Sequence, residues 1–440
     1  MSKLQPKLLQ GTRDFLPEYM IGFQKVLDTF RGNAESFGFD PLCTPALEYC
    51  ETLLAKLENQ DTINELYRWE DKGGREIGLR FDHTVPLARV VSMNQRLPRP
   101  FKRYDIGPVW RFNRPQKGRY REFWQGDLDI VGCSDPTADA EVVAAVCRFF
   151  DRLGLTDYTV HLSDRRLLSG MAAYAGVDTG DAYALYRIID QLDKIGWEGV
   201  SGLLQEKVGE QAAGKVRELL TAGADSLAEF QRARDLLSGC SAPQLQEAMA
   251  AVENLEAILE MLPRMGVKKE KLCPDLSLAR GLDYYTGTIL EVRMAGGAGS
   301  IAGGGRFDRL TETYGVVSPA VGVGVGFDRL MAVLEQEGLR EDRKSVTEIL
   351  VSVQSDELKV VSLEAAAALR EAGCNTEIYL ERGRLKKQLK YAANRGIAYV
   401  VIIGPQEYEA GEIIIKRMSD SEQLKFNNID ELINYVRGRA

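Results

Sequence analysis

The sequence predicts an α+β protein with more than one domain. Segments with β-strand patterning lie on both sides of a long helical stretch at about 165–260. A polar run at 337–345 separates these parts from a regular alternation of strands and helices that begins near residue 347. These observations indicate a strand-rich domain in two segments, a helical domain inserted into it, and a small C-terminal α/β domain.

The first strand-rich segment begins with a helix. Residues 21–37 form an amphipathic pattern, and the prolines at 41 and 45 prevent the helix from continuing. Strand-like runs follow near 75–81, 103–112 and 123–132, with a helix from about 137 to 153. The apolar residues at helical spacing in the first helix are Phe23, Val26, Leu27, Phe30, Ala34 and Phe37.

The middle of the chain is rich in Ala, Leu, Glu and Gln, which favours helices from about 165 to 260. Strand character returns at 276–292 and 320–327, before a helix near 328–337. In the C-terminal part, β-branched runs alternate with helices, which predicts a mostly parallel sheet. Its predicted elements are strands at 349–353, 376–380, 398–404 and 412–416, and helices at 356–372, 384–395 and 429–438.

Bulk composition narrows the class of protein. The 440 residues are enough for roughly two to four domains, and 45% apolar with 27% charged residues is ordinary for a soluble globular protein. No apolar run approaches the roughly 20 residues of a membrane helix, and residues 1–7 show no secretory signal. We therefore expect a cytoplasmic protein with no membrane contact.

Cysteine and histidine usage argues against metal binding. The seven cysteines include no close CxxC pair, which favours neither a zinc site nor a disulfide framework. The only histidines are His83 and His161, and we interpret His83 as structural because no second histidine or cysteine lies near it. The cysteines are at positions 43, 50, 133, 147, 240, 273 and 374.

Charge is unevenly distributed on this chain, whose formal net charge is −8. Residues 99–121 contain eight basic side chains and one acidic side chain, and residues 382–395 contain six basic side chains and no acidic one. Two solvated faces would explain such runs. Anion contacts at two separate places, such as phosphates, are the functional alternative.

The segment Arg280–Gly287 (RGLDYYTG) packs a guanidinium, a carboxylate and two phenols between glycines. A second glycine-rich turn with charge follows at 303–308. Arginine suits carboxylates and phosphates, and tyrosine joins an apolar face to a polar tip. The two segments could bind a small polar molecule and an anionic group together, and a polar β-hairpin is the alternative.

Three further segments carry candidate ligand-binding side chains. In 111–125, two strand patterns flank a basic loop, where an arginine could bind a phosphate and an aromatic ring could stack on a base. Asp82 and Thr84 could bind an ammonium group or could cap the helix that begins near Pro86. In 322–329, alternating glycines could make room for a flat ligand beside Arg329.

Two common nucleotide-binding motifs are missing from the sequence. The glycines at 322–326 lie within a strand pattern and lack the strand–GxGxxG–helix order of a dinucleotide fingerprint. No GxxxxGK[ST] sequence occurs, so a P-loop is excluded as well. Any nucleotide site must therefore use a different architecture.

Taken in order, these motifs resemble the histidyl-tRNA synthetase family of class II aminoacyl-tRNA synthetases along nearly the whole chain. Gln10–Pro17 is similar to the opening signature of the family, and the helix up to Pro45 is similar to motif 1, which builds the dimer interface. Residues 111–125 resemble motif 2, and residues 322–329 resemble motif 3. The segments at 280–286 and 303–308 are similar to the two that are specific to the histidine enzymes.

The resemblance implies a class II catalytic domain with an antiparallel sheet at 1–164 and 261–338. It also implies an inserted helical domain at 165–260 and an anticodon-binding domain at 347–440. The implied activity is a ligase that charges tRNA(His) with L-histidine through histidyl-adenylate. The implied protein is a homodimer that uses ATP with Mg²⁺ as substrate and has no tightly bound cofactor.

The resemblance also implies a role for each matching residue. Arg111, Arg280 and Arg329 would act in catalysis and bind ATP, with Phe123 stacked on adenine. Arg114 and Gln116 would approach the acceptor end of the tRNA. The residues implied to bind histidine are Asp82, Thr84 and Gln125 at its amino end, Asp129 and Tyr285 at the imidazole, and Tyr284 as a second pocket contact.

The chain departs from the family pattern at four positions. Asp82 and Asp129 stand where many members have glutamate, Phe307 stands where tyrosine is frequent, and Asn113 stands where an acid is frequent. An alternative is the non-catalytic regulatory subunit of ATP phosphoribosyltransferase, which shares the fold. That subunit typically lacks the anticodon-binding domain and loses catalytic arginines, whereas this chain has both. The histidine-specific segments disfavour a synthetase for proline or threonine.

Overall fold

The computed structural model describes residues 5–55, 63–114, 119–220, 226–238, 243–279, 285–295, 299–381 and 383–438. The chain divides into two compact units. The larger unit contains residues 1–13 and 26–339, and the smaller unit contains residues 14–25 and 340–440. Within the described ranges, none of the helices is long and apolar enough to cross a membrane.

Two sheets form in the larger unit. Its strands are Asp40–Pro41 (β1), Leu47–Tyr49 (β2), Arg68–Glu70 (β3), Glu76–Leu79 (β4), Phe101–Trp110 (β5), Glu122–Val131 (β6), Tyr158–Asp164 (β7), Leu272–Pro274 (β8), Thr288–Met294 (β9), Ser300–Arg306 (β10) and Ala320–Gly326 (β11). The main sheet has the order β1-β5-β6-β11-β10-β9-β7-β8, and a small second sheet has the order β2-β4-β3. Among the described strands of the main sheet, only the two edge pairs, β1 with β5 and β7 with β8, are parallel.

The helices up to residue 336 are Pro17–Ser36 (α1), Cys50–Leu54 (α2), Thr84–Met93 (α3), Pro136–Arg152 (α4), Arg165–Ala175 (α5), Thr179–Ile189 (α6), Leu192–Val208 (α7), Glu210–Leu220 (α8), Ser226–Ser238 (α9), Pro243–Arg264 (α10) and Phe327–Gln336 (α11). The predicted first helix is confirmed, and it begins earlier, at Pro17. Proline suits the first helical position because its N–H would have no partner there. Between residues 165 and 264, all described elements are helices.

One face of the main sheet is covered by helices. Phe30 of α1 packs edge-on against Phe149 of α4 and Phe327 of α11, with ring centroids 5.1 Å and 5.4 Å away. Gly126 of β6 lies beneath them, and a Cβ at this position would overlap the ring of Phe327. Because side chains alternate along a strand, the neighbours of Gly126 on β6 point to the opposite face.

The second glycine-rich segment is a strand, where the sequence predicted a turn. Gly303–Gly305 belong to β10, which pairs with β9 on one side and β11 on the other. Glycine usually weakens strands, but here it allows close approach of the backbones, because a Cβ at Gly304 would overlap the carbonyl oxygen of Gly322. The predicted strand at 276–292 begins only at Thr288, and residues 280–284 lie outside the described part of the chain.

The smaller unit contains a five-stranded sheet in the order β13-β12-β14-β15-β16. It is mixed, so the prediction of a mostly parallel sheet was wrong: β12 pairs in parallel with β13 and β14, but β14–β15 and β15–β16 are antiparallel. A short turn with Ser421 at φ 64° joins the last two strands, and such a connection requires antiparallel pairing. The elements are Ile349–Val351 (β12), Lys359–Glu371 (α12), Thr376–Ile378 (β13), Leu385–Arg395 (α13), Tyr399–Ile402 (β14), Pro405–Ala410 (α14), Ile413–Arg417 (β15), Gln423–Phe426 (β16) and Ile429–Arg437 (α15).

Candidate active site

The candidate site lies on the face of the main sheet opposite Phe327. Strand β6 presents three polar side chains there at alternate positions: Gln125, Asp127 and Asp129. Their neighbours on β11 are Gly326, Gly324 and Gly322. A Cβ at Gly322 would overlap Asp129 Oδ1, so this glycine accommodates the carboxylate. The space above Gly322 is therefore filled by a protein side chain. The space above Gly326 is open, because a Cβ there would meet nothing closer than 4.0 Å.

A buried ion-pair cluster holds Asp129 in place. Arg103, the neighbour of Asp129 on β5, is fully buried, and its Nη2 lies 2.9 Å from Asp129 Oδ2. The same nitrogen donates to the carbonyl oxygen of His83 at 3.0 Å. Arg103 Nη1 also lies 3.8 Å from Asp105 Oδ2, and His83 Nδ1 lies 3.3 Å from the same oxygen. His83 is thus part of the scaffold around Asp129.

Burial and charge set different pKa values for these carboxyls. Loss of solvent raises the pKa of Asp129 to about 7, against the lowering effect of Arg103. Burial raises the pKa of Asp127 as well, against the lowering effects of His83 and Arg103. For Asp105, burial is outweighed by His83 and Arg103, which lower its pKa below the usual value. The charged form of Asp105 is therefore the most favoured of the three.

Asp82 caps the helix α3 at the edge of this cluster. Its Oδ1 accepts hydrogen bonds from the backbone nitrogens of Thr84 at 3.1 Å and Val85 at 3.0 Å. Of the two roles considered for Asp82, helix capping is therefore confirmed for Oδ1. Both bonds use Oδ1, so capping does not occupy Oδ2, which remains compatible with a ligand contact.

Arg111 lies at the end of β5 that is next to Asp82. Its Nε donates to the carbonyl oxygen of Phe81 at 3.0 Å, and its guanidinium carbon lies 5.2 Å from the ring centroid of Phe123. Phe123 is on the same face of β6 as Gln125, because the two positions differ by two residues. The structure thus brings a cation and an aromatic ring to one end of the polar row on β6.

Arg329 lies in the first turn of α11, beyond the end of β11. Its Nη1 donates to the carbonyl oxygen of Ser300 at 3.1 Å. The preceding residue, Asp328, accepts a hydrogen bond from the backbone nitrogen of Trp124 at 2.8 Å and forms an ion pair with Arg13. Arg13 also donates to the hydroxyl of Tyr120 at 3.1 Å. Asp328 therefore fixes the start of α11 to the strand that carries Phe123 and Gln125.

Tyr285 lies over β10 on the same side of the sheet as Asp129. A Cβ at Gly305 would come 3.1 Å from the Tyr285 ring, and Gly305, Gly322 and Asp129 are successive neighbours across β10, β11 and β6. The glycines thus make room for a tyrosine on one side and a carboxylate on the other. Arg280, Tyr284 and Gln116 lie outside the described residues.

The basic run at 99–121 is not a single cationic surface. Arg103 is buried in the cluster, and Lys102 forms a 2.6 Å ion pair with Glu141. Arg119 donates to Asn113 Oδ1 at 2.6 Å, and Arg114 is exposed. Only part of the run is thus available to a phosphate.

Sequence reasoning assigned no individual role to Arg103, Asp105, Asp127 or Arg306. Arg306, in the second glycine-rich segment, is buried and forms an ion pair with Asp139 while donating to the carbonyl oxygen of Cys133 at 2.9 Å. The alternation of polar residues at 125, 127 and 129 could have identified Asp127, because it places all three on one face.

The fold is that of a class II aminoacyl-tRNA synthetase, with a mainly antiparallel catalytic sheet, helices and a separate C-terminal sheet domain. The model of the family described as Histidyl-tRNA synthetase matches residues 11–330, and the model described as Anticodon binding domain matches residues 348–439. The chain belongs to the histidyl-tRNA synthetase family.

Individual relatives agree with this assignment. The chain is 38% identical over 427 residues to Histidine--tRNA ligase of Rhodopirellula baltica, with 95% of each chain covered. It is similar to the crystal structure of histidyl-tRNA synthetase from Nostoc sp. PCC 7120, with a TM-score of 0.88, 29% identity and 100% of both chains covered. A Bacillus halodurans structure described as an ATP phosphoribosyltransferase regulatory subunit/histidyl-tRNA synthetase has a TM-score of 0.74 and 24% identity, covering 89% of this chain and 97% of that one. This last likeness shows the fold alone, so the regulatory-subunit alternative is not better supported.

Proposed function

We propose that the chain activates L-histidine with ATP to form histidyl-adenylate and diphosphate, and then transfers histidine to tRNA(His). The observation that carries this proposal is the polar row on β6 with Arg111 at one end and the Tyr285–Asp129 pair of side chains at the other. Attack of a carboxylate on the α-phosphate needs alignment and cationic stabilisation more than a protein nucleophile. The site offers both within one surface.

Histidine is proposed to bind along the row. Asp82, Thr84 and Gln125 would contact its amino end, while Asp129 and Tyr285, with Tyr284 as a further candidate, would contact the imidazole. An analogue without the ring nitrogens would leave buried polar groups unpaired, and rejection of that type can reach about 10⁴-fold. The ion pair between Arg103 and Asp129 supports this role, because it fixes one carboxylate oxygen and leaves the other over Gly322.

ATP is proposed to bind at the ends of the row, with Mg²⁺ entering as part of the nucleotide complex. Arg111, Arg280 and Arg329 would contact phosphates, and Phe123 would stack on adenine. Magnesium usually retains several waters and binds through few protein ligands. Arg114 and Gln116 would then contact the acceptor end of the tRNA.

We propose the domain division that the sequence suggested: a catalytic domain at 1–164 and 261–338, an inserted helical domain at 165–260, and an anticodon-binding domain at 347–440. We also propose that the protein acts in the cytoplasm. Removal of residues 347–440 should abolish charging of tRNA while histidine activation persists, and limited proteolysis should cut first near 337–345.

The proposed activity is tested by diphosphate exchange into ATP, measured separately with each of the twenty amino acids. Histidine alone should support rapid exchange. Exchange with proline or threonine in place of histidine would overturn the assignment of substrate. A protein that supports no exchange but binds a phosphoribosyltransferase tightly would favour the regulatory-subunit alternative.

The smaller unit offers a basic helix for tRNA. Lys386, Lys387 and Lys390 are exposed on α13, and Lys387 forms an ion pair with Glu381 at 2.7 Å. Reversing charge at Lys386 and Lys387 should raise the KM for tRNA and flatten its salt dependence, because each phosphate contact releases counterions. Histidine-dependent diphosphate exchange should remain at the wild-type rate.

The matched control for this prediction reverses two exposed lysines elsewhere in the same unit, Lys359 and Lys425. It should change the KM for tRNA much less than the α13 variant. Equal changes in both variants would contradict a specific role for α13 and indicate a general effect of net charge.

The homodimer is proposed to form through the small sheet. Leu47, Tyr49 and Trp69 are 48%, 48% and 45% exposed, and Tyr49, Ile77 and Trp69 are neighbours across its three strands. This is an apolar surface directly after the segment that resembles motif 1. A second copy of the chain would cover it.

Trp69→Asp should raise the Kd of the dimer by about 30-fold or more, as expected for a tryptophan that becomes buried when the dimer forms. Sedimentation velocity over a range of concentrations measures the change. Val360→Asp, which alters a 61% exposed residue of the smaller unit, is the control. A wild-type protein that is monomeric throughout, or a Trp69 variant that remains as dimeric as the control, would contradict this interface.

A further inference from the structure

Three buried acceptor atoms on β6 have no hydrogen-bond partner among the described residues: Asp129 Oδ2, which lies in the ion pair with Arg103, and Asp127 Oδ1 and Gln125 Oε1, which lie in none. Asp127 is only 3% exposed. A Cβ at Gly324, the neighbour of Asp127 on β11, would come 3.0 Å from Asp127 Oδ1 and 3.2 Å from Gln125 Nε2. The two side chains therefore turn toward the same small volume above Gly324.

The nearby basic side chains contact other carboxylates. Arg103 lies 2.9 Å from Asp129 and 3.8 Å from Asp105, and His83 lies 3.3 Å from Asp105. Within the described part of the chain, Asp127 forms no ion pair within 4.0 Å. Burying a carboxylate without a partner is costly, and a donor group of a bound ligand would offset that cost.

The chemistry of the two acceptors identifies that donor. A carboxylate oxygen without a partner suits a group with several N–H donors and a positive charge, as in a primary ammonium, and the side chain of Gln125 carries a second acceptor without a partner among the described residues. Gly324 keeps the volume between them open, since a methyl group there would contact both side chains. Asp82, whose charge acts on Asp127, brings a further carboxylate to the same region.

We propose that Asp127 binds the α-ammonium group of histidine together with Gln125, and is thereby a residue that determines specificity for an amino acid over its α-hydroxy analogue. The inference rests on the proposed function, because it takes histidine as the ligand of this face. It adds to the residues that the family resemblance implied, none of which is Asp127.

Asp127→Asn tests this inference, because it retains the shape of the side chain and removes its charge. Binding of two ligands is compared by calorimetry: histidinol, which retains the ammonium, and imidazole-lactate, in which a hydroxyl replaces it. The substitution should raise the Kd of histidinol about 10- to 100-fold, as expected for loss of a charged hydrogen bond. The Kd of imidazole-lactate should change by less than about threefold.

Asp105→Asn is the matched control, since Asp105 is the neighbour of Asp127 on β5 and contacts His83 and Arg103. Asp105→Asn should change the Kd of both ligands by the same factor, and it should lower the midpoint of urea unfolding. Asp127→Asn should leave that midpoint unchanged or raise it, because it removes a buried charge without a counterion. If Asp127→Asn instead lowers the midpoint as much as the control, Asp127 is structural and the inference is overturned.

Failure of the inference is distinguishable from failure of the proposed function. A wild-type protein that binds neither histidine nor histidinol would contradict the proposed function itself. If the wild-type protein binds both, but Asp127→Asn raises the Kd of histidinol and of imidazole-lactate equally, only the role of Asp127 is overturned. Asp127→Glu, which keeps the charge, should retain the preference for histidinol, and a loss of that preference equal to the loss in Asp127→Asn would also count against the inference.

Discussion

Replacing Arg103 with methionine is expected to lower the free energy of unfolding by about 3–5 kcal/mol. Arg103 is fully buried, with Asp129 Oδ2 at 2.9 Å and Asp105 Oδ2 at 3.8 Å. Methionine fills a similar volume but leaves both carboxylates without this counterion in a region shielded from water. All four tryptophans lie in the larger unit, so tryptophan fluorescence during urea unfolding reports on this unit.

Lys102→Met provides the matched control for this prediction. Lys102 precedes Arg103 on β5 and forms a partly exposed ion pair with Glu141 at 2.6 Å. Its replacement should cost about 1 kcal/mol or less, as is usual for ion pairs near the surface. If Arg103→Met lowers the free energy of unfolding by as little as this, the ion pairs of Arg103 with Asp105 and Asp129 do not stabilise the fold. Both carboxyls would then be neutral in the folded protein.

Replacing Arg111 with alanine is expected to reduce the rate of histidyl-adenylate formation by about 10²- to 10³-fold. Its Nε is anchored to the carbonyl oxygen of Phe81, which orients the guanidinium beside Phe123. In the proposed reaction, the contact with ATP phosphates strengthens as charge develops, so kcat should fall more than the affinity for histidine. Arg111→Lys should recover only part of the rate, since lysine lacks the planar donor pair.

Arg89→Ala is the control for Arg111, because Arg89 is a partly buried arginine whose guanidinium binds Glu48. It should lower stability without a comparable fall in kcat. Diphosphate exchange with varied ATP and histidine separates the two effects. Equal losses of kcat in the two variants, or a loss confined to the KM for histidine in Arg111→Ala, would contradict the role given to Arg111.

The local elements of the site were predictable because their signals lie within short windows of sequence. The helix that begins at Pro17 and the strands β5 and β6 follow apolar periodicities of 3.6 and 2, and their positions match the expectation closely. Asp82 before Pro86 indicated a helix cap, which the hydrogen bonds to Thr84 and Val85 confirm. The side chains on one face of β6 follow directly from alternation.

What could not be predicted depends on pairing between distant segments. The partnership of Arg103 with Asp129 exists because β5 and β6 pair in one register, and a shift by one residue would place the two on opposite faces. Arg13 and Asp328 are separated by 315 positions and meet only through the fold. Gly303–Gly305 lacks the side chains that usually mark a strand, so β10 was predicted as a turn. The antiparallel end of the second sheet likewise depends on a short turn near Ser421.

The most direct measurement of the central claim is charging of purified tRNA with labelled histidine. The full chain, with ATP and Mg²⁺, should attach histidine to tRNA(His) and leave tRNA for proline and threonine uncharged. Because the reaction requires both histidine activation and tRNA binding, it tests the two units of the chain in one assay. Charging of a different tRNA, or activation of histidine without transfer to any tRNA, would contradict the function proposed for this protein.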